Sequence, residues 1–155
     1  MKKVILALIT LFTVSLSSVA QVEPHAIGGR FGGGNYGGGF EISYQHGLGD
    51  ANRLELDLGM NSHHGYSYFS LAGIYQWVWQ LESGFNWYAG PGAQFLGLKN
   101  SSALGIGGQL GLEYNFNTSL DTPLLISIDT RPMINFASGG SDFGWAAALG
   151  IRYTF

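Results

Sequence analysis

Nine charged residues lie at alternate positions of otherwise apolar segments, a pattern that could build either a paired ionic interior or a polar conduit. They are four arginines and five carboxylates: Arg30, Glu41, Arg53, Glu55, Asp57, Glu113, Asp129, Arg131 and Arg152. A charge removed from water must be paired and hydrogen-bonded, so residues of both signs on one enclosed face should form salt bridges. The predicted interior charge network consists of Arg30, Glu41, Glu55, Asp57, Glu113, Asp129, Arg131 and Arg152. We expect its centre on the last three strands, at Glu113, Asp129, Arg131 and Arg152.

His63 and His64 form the second candidate group, because they precede Ser67 in a polar connector. A histidine base beside a serine nucleophile could support acyl transfer if a carboxylate orients the histidine. Metal binding would need a third ligand, which the neighbouring sequence does not make evident. We interpret this segment as an exposed polar loop. The sequence therefore predicts no catalytic, cofactor-binding or metal-binding residues and no cofactor.

The elements that must position these groups are β-strands, as the end of the chain shows most clearly. Residues 143–155 alternate with a period of two, which is the side-chain period of a strand. The apolar face carries Phe143, Trp145, Ala147, Leu149, Ile151, Tyr153 and Phe155. The other face holds glycines and alanines together with Arg152 and Thr154. An exposed face this aromatic would aggregate in water, but it suits lipid.

The same alternation predicts eight strands separated by turn-forming Gly, Asn, Asp and Ser. The predicted strands cover residues 26–33, 39–46, 53–61, 67–80, 85–96, 104–116, 124–136 and 143–155. A slip of one residue would move every charge to the apolar face, so the register should be well defined. Pro91 and Pro132 lie within strands, and we expect each to cost a ladder hydrogen bond without breaking its strand.

The start of the chain has the pattern of a secretory signal peptide. Lys2 and Lys3 precede an apolar run over residues 4–14, and small residues at 18–20 mark a cleavage site. We predict a signal peptide over residues 1–20 and one barrel domain over residues 21–155. Cleavage would change the net charge from −3 to −5, because two lysines and no acids are removed.

The composition favours a membrane protein over a soluble domain. Only 11% of residues are charged, against about 25% in a typical soluble domain. No apolar run reaches the roughly 20 residues of a spanning helix, and only a closed barrel can otherwise satisfy its backbone in lipid. The predicted fold class is therefore all-β, a transmembrane antiparallel up-and-down barrel of eight strands. No basic stripe is present, so we expect no nucleic-acid partner.

Three segments carry a resemblance to a known family. Residues 38–46 read GGFEISYQH, residues 53–59 read RLELDLG, and the chain ends with LGIRYTF at 149–155. The sequence resembles the small eight-stranded outer-membrane barrels of Gram-negative bacteria, such as the barrel portion of outer-membrane protein A. It is also similar to the short outer-membrane β-barrel domain proteins of Bacteroidetes. The ending looks like the C-terminal assembly signal of such families, with Leu149, Ile151, Tyr153 and Phe155 as its apolar positions.

The resemblance implies an integral outer-membrane protein with a structural or surface role and no catalysis. Its implied partners are outer-membrane lipid, lipopolysaccharide and, during insertion, the barrel-assembly machinery; we expect a monomer. Three alternatives stay open: a narrow porin-like channel, a lipid A-modifying enzyme, and a soluble lipid-binding barrel with its aromatic face inward. Lipid A deacylases are eight-stranded barrels with a His-any-Ser-Asn run, whereas this chain has His64-Gly65-Tyr66-Ser67-Tyr68. That mismatch disfavours the enzyme.

Overall fold

Alternating apolar and small or polar residues form eight antiparallel strands within residues 21–155, the part of the chain that the computed structural model describes. The predicted signal peptide lies outside the described residues. The strands are β1 (His25–Gly34), β2 (Gly37–Gly47), β3 (Asn52–His63), β4 (Tyr66–Glu82), β5 (Phe85–Leu98), β6 (Ser101–Asn115), β7 (Leu124–Ala137) and β8 (Gly140–Thr154). The predicted strands are confirmed in number and order, with ends that differ by at most three residues.

Each strand pairs with the next, and β8 pairs with β1, which closes the sheet into a barrel. The closing seam runs from Ala26 opposite Thr154 to Gly34 opposite Ala146. We call the end where β1 begins and β8 finishes the terminal end. The opposite end, where the turns at residues 35–36, 64–65, 99–100 and 138–139 lie, is the hairpin end. A closed up-and-down barrel leaves its strands without a free edge.

The two prolines behave as predicted. Pairing of β4 with β5 reaches Ile74 opposite Gly92 and resumes at Trp77 opposite Ala89, so Pro91 interrupts it locally. Pairing of β6 with β7 reaches Gly107 opposite Met133 and resumes at Leu110 opposite Thr130, beyond Pro132. The register is the same on both sides of each interruption. Both strands therefore continue through their proline.

The connector between β6 and β7 contains a short helix that the sequence did not predict. This helix, α1, covers Phe116–Leu120, so Phe116 begins α1 and does not end β6 as predicted. The side chain of Asn115 caps it by accepting a hydrogen bond of 3.0 Å from the backbone N–H of Asn117. It ends at Asp121, which has a left-handed backbone with φ of 56°. Within residues 21–155, no helix is long and apolar enough to cross a membrane.

The strand alternation separates two chemically different faces. Asp57 is 1% exposed and the next residue, Leu58, is 55% exposed. All four arginines among the nine alternating charged residues are buried inside the barrel. Most large apolar side chains of the same strands point outward, as in Leu104 and Leu149, although Leu125 and Met133 are buried in the interior. This orientation is opposite to the one that a soluble barrel with an inward aromatic face would require.

Candidate functional site

Glu55 is the centre of the barrel interior, because side chains from four other strands donate hydrogen bonds to its carboxylate. Its Oε2 atom accepts from Nη2 of Arg152 at 2.9 Å and from Nε2 of Gln45 at 2.6 Å. Its Oε1 atom accepts from Nε2 of Gln109 at 3.0 Å and from Nη2 of Arg131 at 3.3 Å. Glu55 is fully buried. A carboxylate in this position is stable only when arginines and amides surround it.

A group of two arginines and three acids lies beside Glu55 toward the hairpin end. Arg30 donates to Glu41 through Nη1 and to Oδ1 of Asp129 through Nη2, the latter at 2.5 Å. Arg131 donates to Asp57 and lies 3.6 Å from Oε2 of Glu41. Each arginine therefore contacts more than one carboxylate. The planar guanidinium, with five N–H donors, is suited to this role.

A second ion pair occupies the terminal end of the interior. Nη2 of Arg53 donates to Oε2 of Glu113 at 2.6 Å, and its Nε atom donates to Oε1 of Gln76 at 2.5 Å. The guanidinium carbon of Arg53 lies 4.8 Å from the ring centre of Tyr88, a cation–π contact. The Tyr88 hydroxyl in turn donates to Oδ2 of Asp129 at 3.2 Å. The two charged groups are therefore connected.

The structure brings all eight predicted interior residues into this connected set, together with Arg53. The predicted position of its centre is wrong. Glu113 pairs with Arg53 near the terminal end, and the carboxylate with most arginine contacts is Glu55 on β3. Alternation determines which face a side chain occupies, but it does not say which partner a long side chain reaches across the bore.

Tyr36 closes the interior at the hairpin end. Its ring lies over Gly144, where an added Cβ atom would be 2.2 Å from the tyrosine Cε2. Its hydroxyl donates to Oδ2 of Asp142 at 2.7 Å, and its backbone carbonyl accepts from the Tyr68 hydroxyl at 2.9 Å. Partial burial and the bond to Asp142 raise the pKa of the Tyr36 hydroxyl above its ordinary value. This role of Tyr36 was not predicted, although an aromatic residue within a glycine-rich tip is a usable signal.

Two cavities adjoin Tyr36. One, of about 80 Å³, lies between Tyr36 and the charged groups and is lined by Arg30, Glu41 and Arg131. The other, of about 610 Å³, opens at the hairpin end and is lined mainly by apolar and aromatic groups, including Tyr66. Tyr36 therefore lies between a cavity beside the charged groups and an apolar cavity at the hairpin end.

The segment before β1 closes the terminal end. Val22 packs against Val78 and Tyr88, which are buried at the base of the bore. Its backbone N–H donates to the carbonyl of Asp50 at 2.9 Å. Oε1 of Glu23 accepts from Nδ2 of Asn115 at 2.9 Å. No periodic pattern marks these residues, so their contacts could not be predicted from spacing along the chain.

The remaining sequence candidates lie at the hairpin end, where His63 and His64 line the larger cavity. His63 and His64 pack edge to face, with ring centres 4.1 Å apart, and Ser67 pairs across the strands with Ser62. Within residues 21–155, no group of three or more His, Asp or Glu residues is arranged to hold a metal ion. The four residues of the predicted assembly signal all point outward: Leu149, Ile151, Tyr153 and Phe155.

Fold and interior together define a closed eight-stranded antiparallel barrel that is filled by a charged, hydrogen-bonded interior. No model of a known protein family matches the chain. No curated protein and no solved structure is significantly similar to it.

The arginine contacts of Glu55 lead to a stability prediction. Replacing Arg152 with Leu removes the 2.9 Å ion pair and leaves Glu55 buried with fewer compensating groups. Loss of one partner from a buried pair costs about 3–5 kcal/mol, so the unfolding midpoint in urea should fall clearly. Ile151→Leu, an outward change on the same strand, is the matched control and should leave the midpoint almost unchanged.

A double variant tests whether the loss arises from the stranded carboxylate. The double variant Arg152→Leu/Glu55→Gln should lose less free energy of unfolding than the sum of the two single losses. Each single change leaves one buried charge without its partner, whereas the double variant removes both charges. Strict additivity, or an unchanged midpoint in Arg152→Leu, would contradict the pairing.

Proposed function

We propose that this chain is an integral protein of the bacterial outer membrane, with a structural or surface role and no catalytic activity. In this proposal residues 1–20 are a signal peptide that directs export in a Gram-negative cell. The barrel domain over residues 21–155 then inserts as a monomer. Its surroundings are outer-membrane lipid and lipopolysaccharide, and the barrel-assembly machinery inserts it.

The observation that carries the proposal is the continuous apolar exterior around a charged interior. Leu104 is 63% exposed, whereas Arg152, buried at the centre, has no exposure. All eight strands present outward apolar side chains, for example Leu58 on β3 and Ile128 on β7. Soluble monomers rarely expose apolar patches above a few hundred Å². Lipid would accept this exterior, and the closed ladder would satisfy the backbone there.

Aromatic side chains at the two ends of the exterior support the same proposal. At the terminal end, the rings of Trp79 and Trp87 stack with centres 4.2 Å apart. At the hairpin end, Phe69 and Phe95 lie 5.6 Å apart on neighbouring strands. Membrane barrels carry aromatic girdles at both interfaces of the bilayer.

The outward face of β8 supports assembly by the barrel machinery. Leu149, Ile151 and Tyr153 form an unbroken exposed stripe that leads to Phe155. An assembly protein that binds the last strand from outside could recognise such a stripe. The filled bore favours a structural role, because an eight-stranded barrel is just wide enough for its own side chains.

Electrophoresis of isolated membranes tests the location and the closed fold together. We expect a sarkosyl-insoluble outer-membrane protein that migrates faster before boiling than after it, because a closed barrel resists unfolding by detergent. Recovery from the soluble periplasm without a heat shift would overturn the membrane proposal.

A charge placed on the exterior tests the lipid contact itself. In phospholipid vesicles, Leu58→Arg should lower the free energy of unfolding by about 2–4 kcal/mol, because it places a cation near the bilayer midplane. Leu81→Arg, near the terminal end, is the matched control and should cost about 0–1 kcal/mol. Equal and small effects at both positions would indicate that the exterior faces water.

A narrow conduit is the second candidate, favoured by the polar cavity of about 80 Å³ inside the bore. This cavity is large enough for a few water molecules beside Arg131. The structural proposal predicts no steady conductance in planar bilayers. Conductance steps whose ion selectivity changes in Glu41→Gln would support the conduit instead. A change in lipid A mass that depends on His64 would support the enzyme.

A further inference from the structure

Two histidines face each other on the outside of the barrel at its terminal end. His25 on β1 is directly opposite His46 on β2, and their Nδ1 atoms are 3.3 Å apart. Their neighbours Ala26 and Gln45, also opposite each other, are buried in the interior. The two imidazoles therefore share the outer face of one rung of the ladder.

The hydroxyl of Tyr44 approaches the same nitrogen. Its oxygen lies 2.9 Å from Nδ1 of His25, which is also the atom that His46 approaches. A ring nitrogen carries either one proton or one lone pair in the ring plane. Nδ1 of His25 can therefore serve only one of these two neighbours well. A metal ion between the rings would give each nitrogen a bond of its own.

We propose that His25 and His46 bind a divalent late-transition-metal ion, such as Zn²⁺, Ni²⁺ or Cu²⁺, with the Tyr44 oxygen or water completing the coordination. Zn–N bonds are about 2.0–2.1 Å, so two nitrogens at neighbouring corners of a tetrahedron lie about 3.3 Å apart. Imidazole nitrogen suits zinc, copper and nickel. This proposal depends on the fold and not on the membrane location.

The backbone holds His25 in place for this role. Its N–H donates to the carbonyl of Phe155 at 3.1 Å, and its carbonyl accepts from the Phe155 N–H at 2.9 Å. The His25 ring also stacks on the Phe155 ring, with centres 5.3 Å apart. His46 is exposed, so an ion can reach the pair from solvent. The two Nδ1 atoms already have the separation that one shared ion requires.

His63 and His64 provide the comparison within the same chain. They are adjacent in sequence at the hairpin end, and their rings meet edge to face at 4.1 Å. That contact is between a ring face and a ring edge, and within residues 21–155 no third donor is hydrogen-bonded to either ring. The pair at the terminal end has the facing nitrogens and the neighbouring hydroxyl, so it should bind the ion more tightly.

The test is a metal titration of the untagged protein in detergent micelles, since an affinity tag would itself bind the ion. Isothermal titration with Zn²⁺ should give one ion per chain, and Cu²⁺ should give an electron paramagnetic resonance spectrum with nitrogen couplings. His25→Ala and His46→Ala should each weaken Zn²⁺ binding at least about tenfold. Tyr44→Phe should weaken it by about tenfold, because it removes the hydroxyl beside Nδ1 of His25.

The control is the double variant His63→Ala/His64→Ala, which should keep the wild-type affinity. His46→Gln removes the imidazole but keeps a side chain of similar size at this exposed position. Far-UV circular dichroism checks that each variant is folded. The proposal is overturned if the wild type binds no ion. It is equally overturned if His25→Ala and His46→Ala bind as tightly as the wild type, or if binding is lost in the His63/His64 variant.

Discussion

A carboxylate at the middle of a narrow barrel has no bulk water to solvate it, and the interior of this protein is organised around that fact. Glu55 is surrounded by Arg30, Arg131 and Arg152, and each of those guanidinium groups needs further acceptors. Asp57, Glu41 and Asp129 supply them for Arg30 and Arg131. The hydroxyls of Ser43 and Ser127 supply them for Arg152. The result is a continuous set of interactions that fills the bore and links strands far apart in sequence.

Side chains cover the charged interior of the barrel at both of its ends. Tyr36 covers the hairpin end by lying over Gly144, a position where a side chain would collide with the ring. Val22 covers the terminal end by packing against Val78 and Tyr88. Between these two covers the charged groups are protected from solvent, which strengthens their mutual attraction. The interior is therefore filled by its own side chains, and the outer face makes the contacts with the surroundings.

The exterior and the interior depend on each other. Because the charges point inward, the large apolar residues such as Leu58, Leu104 and Leu149 must point outward. The ends of the exterior differ from its middle, since rings such as Trp79 and Trp87 gather there. The histidine pair at the terminal end lies in this border zone, where a ring face can pack on Phe155 while the nitrogens stay accessible. One strand register thus sets the positions of the charged interior, the apolar exterior and the aromatic ends.

The sequence by itself determined the all-β class, the eight strands, the face of each charged residue and the local effect of both prolines. These properties follow from a period of two and from turn residues, which are local and therefore visible in one sequence. Only the tertiary structure decided that Glu55 is the centre, that Arg53 pairs with Glu113, and that His25 meets His46. The physical reason is that such contacts depend on depth along the bore and on how far a flexible side chain reaches across it. Neither quantity is encoded in spacing along the chain.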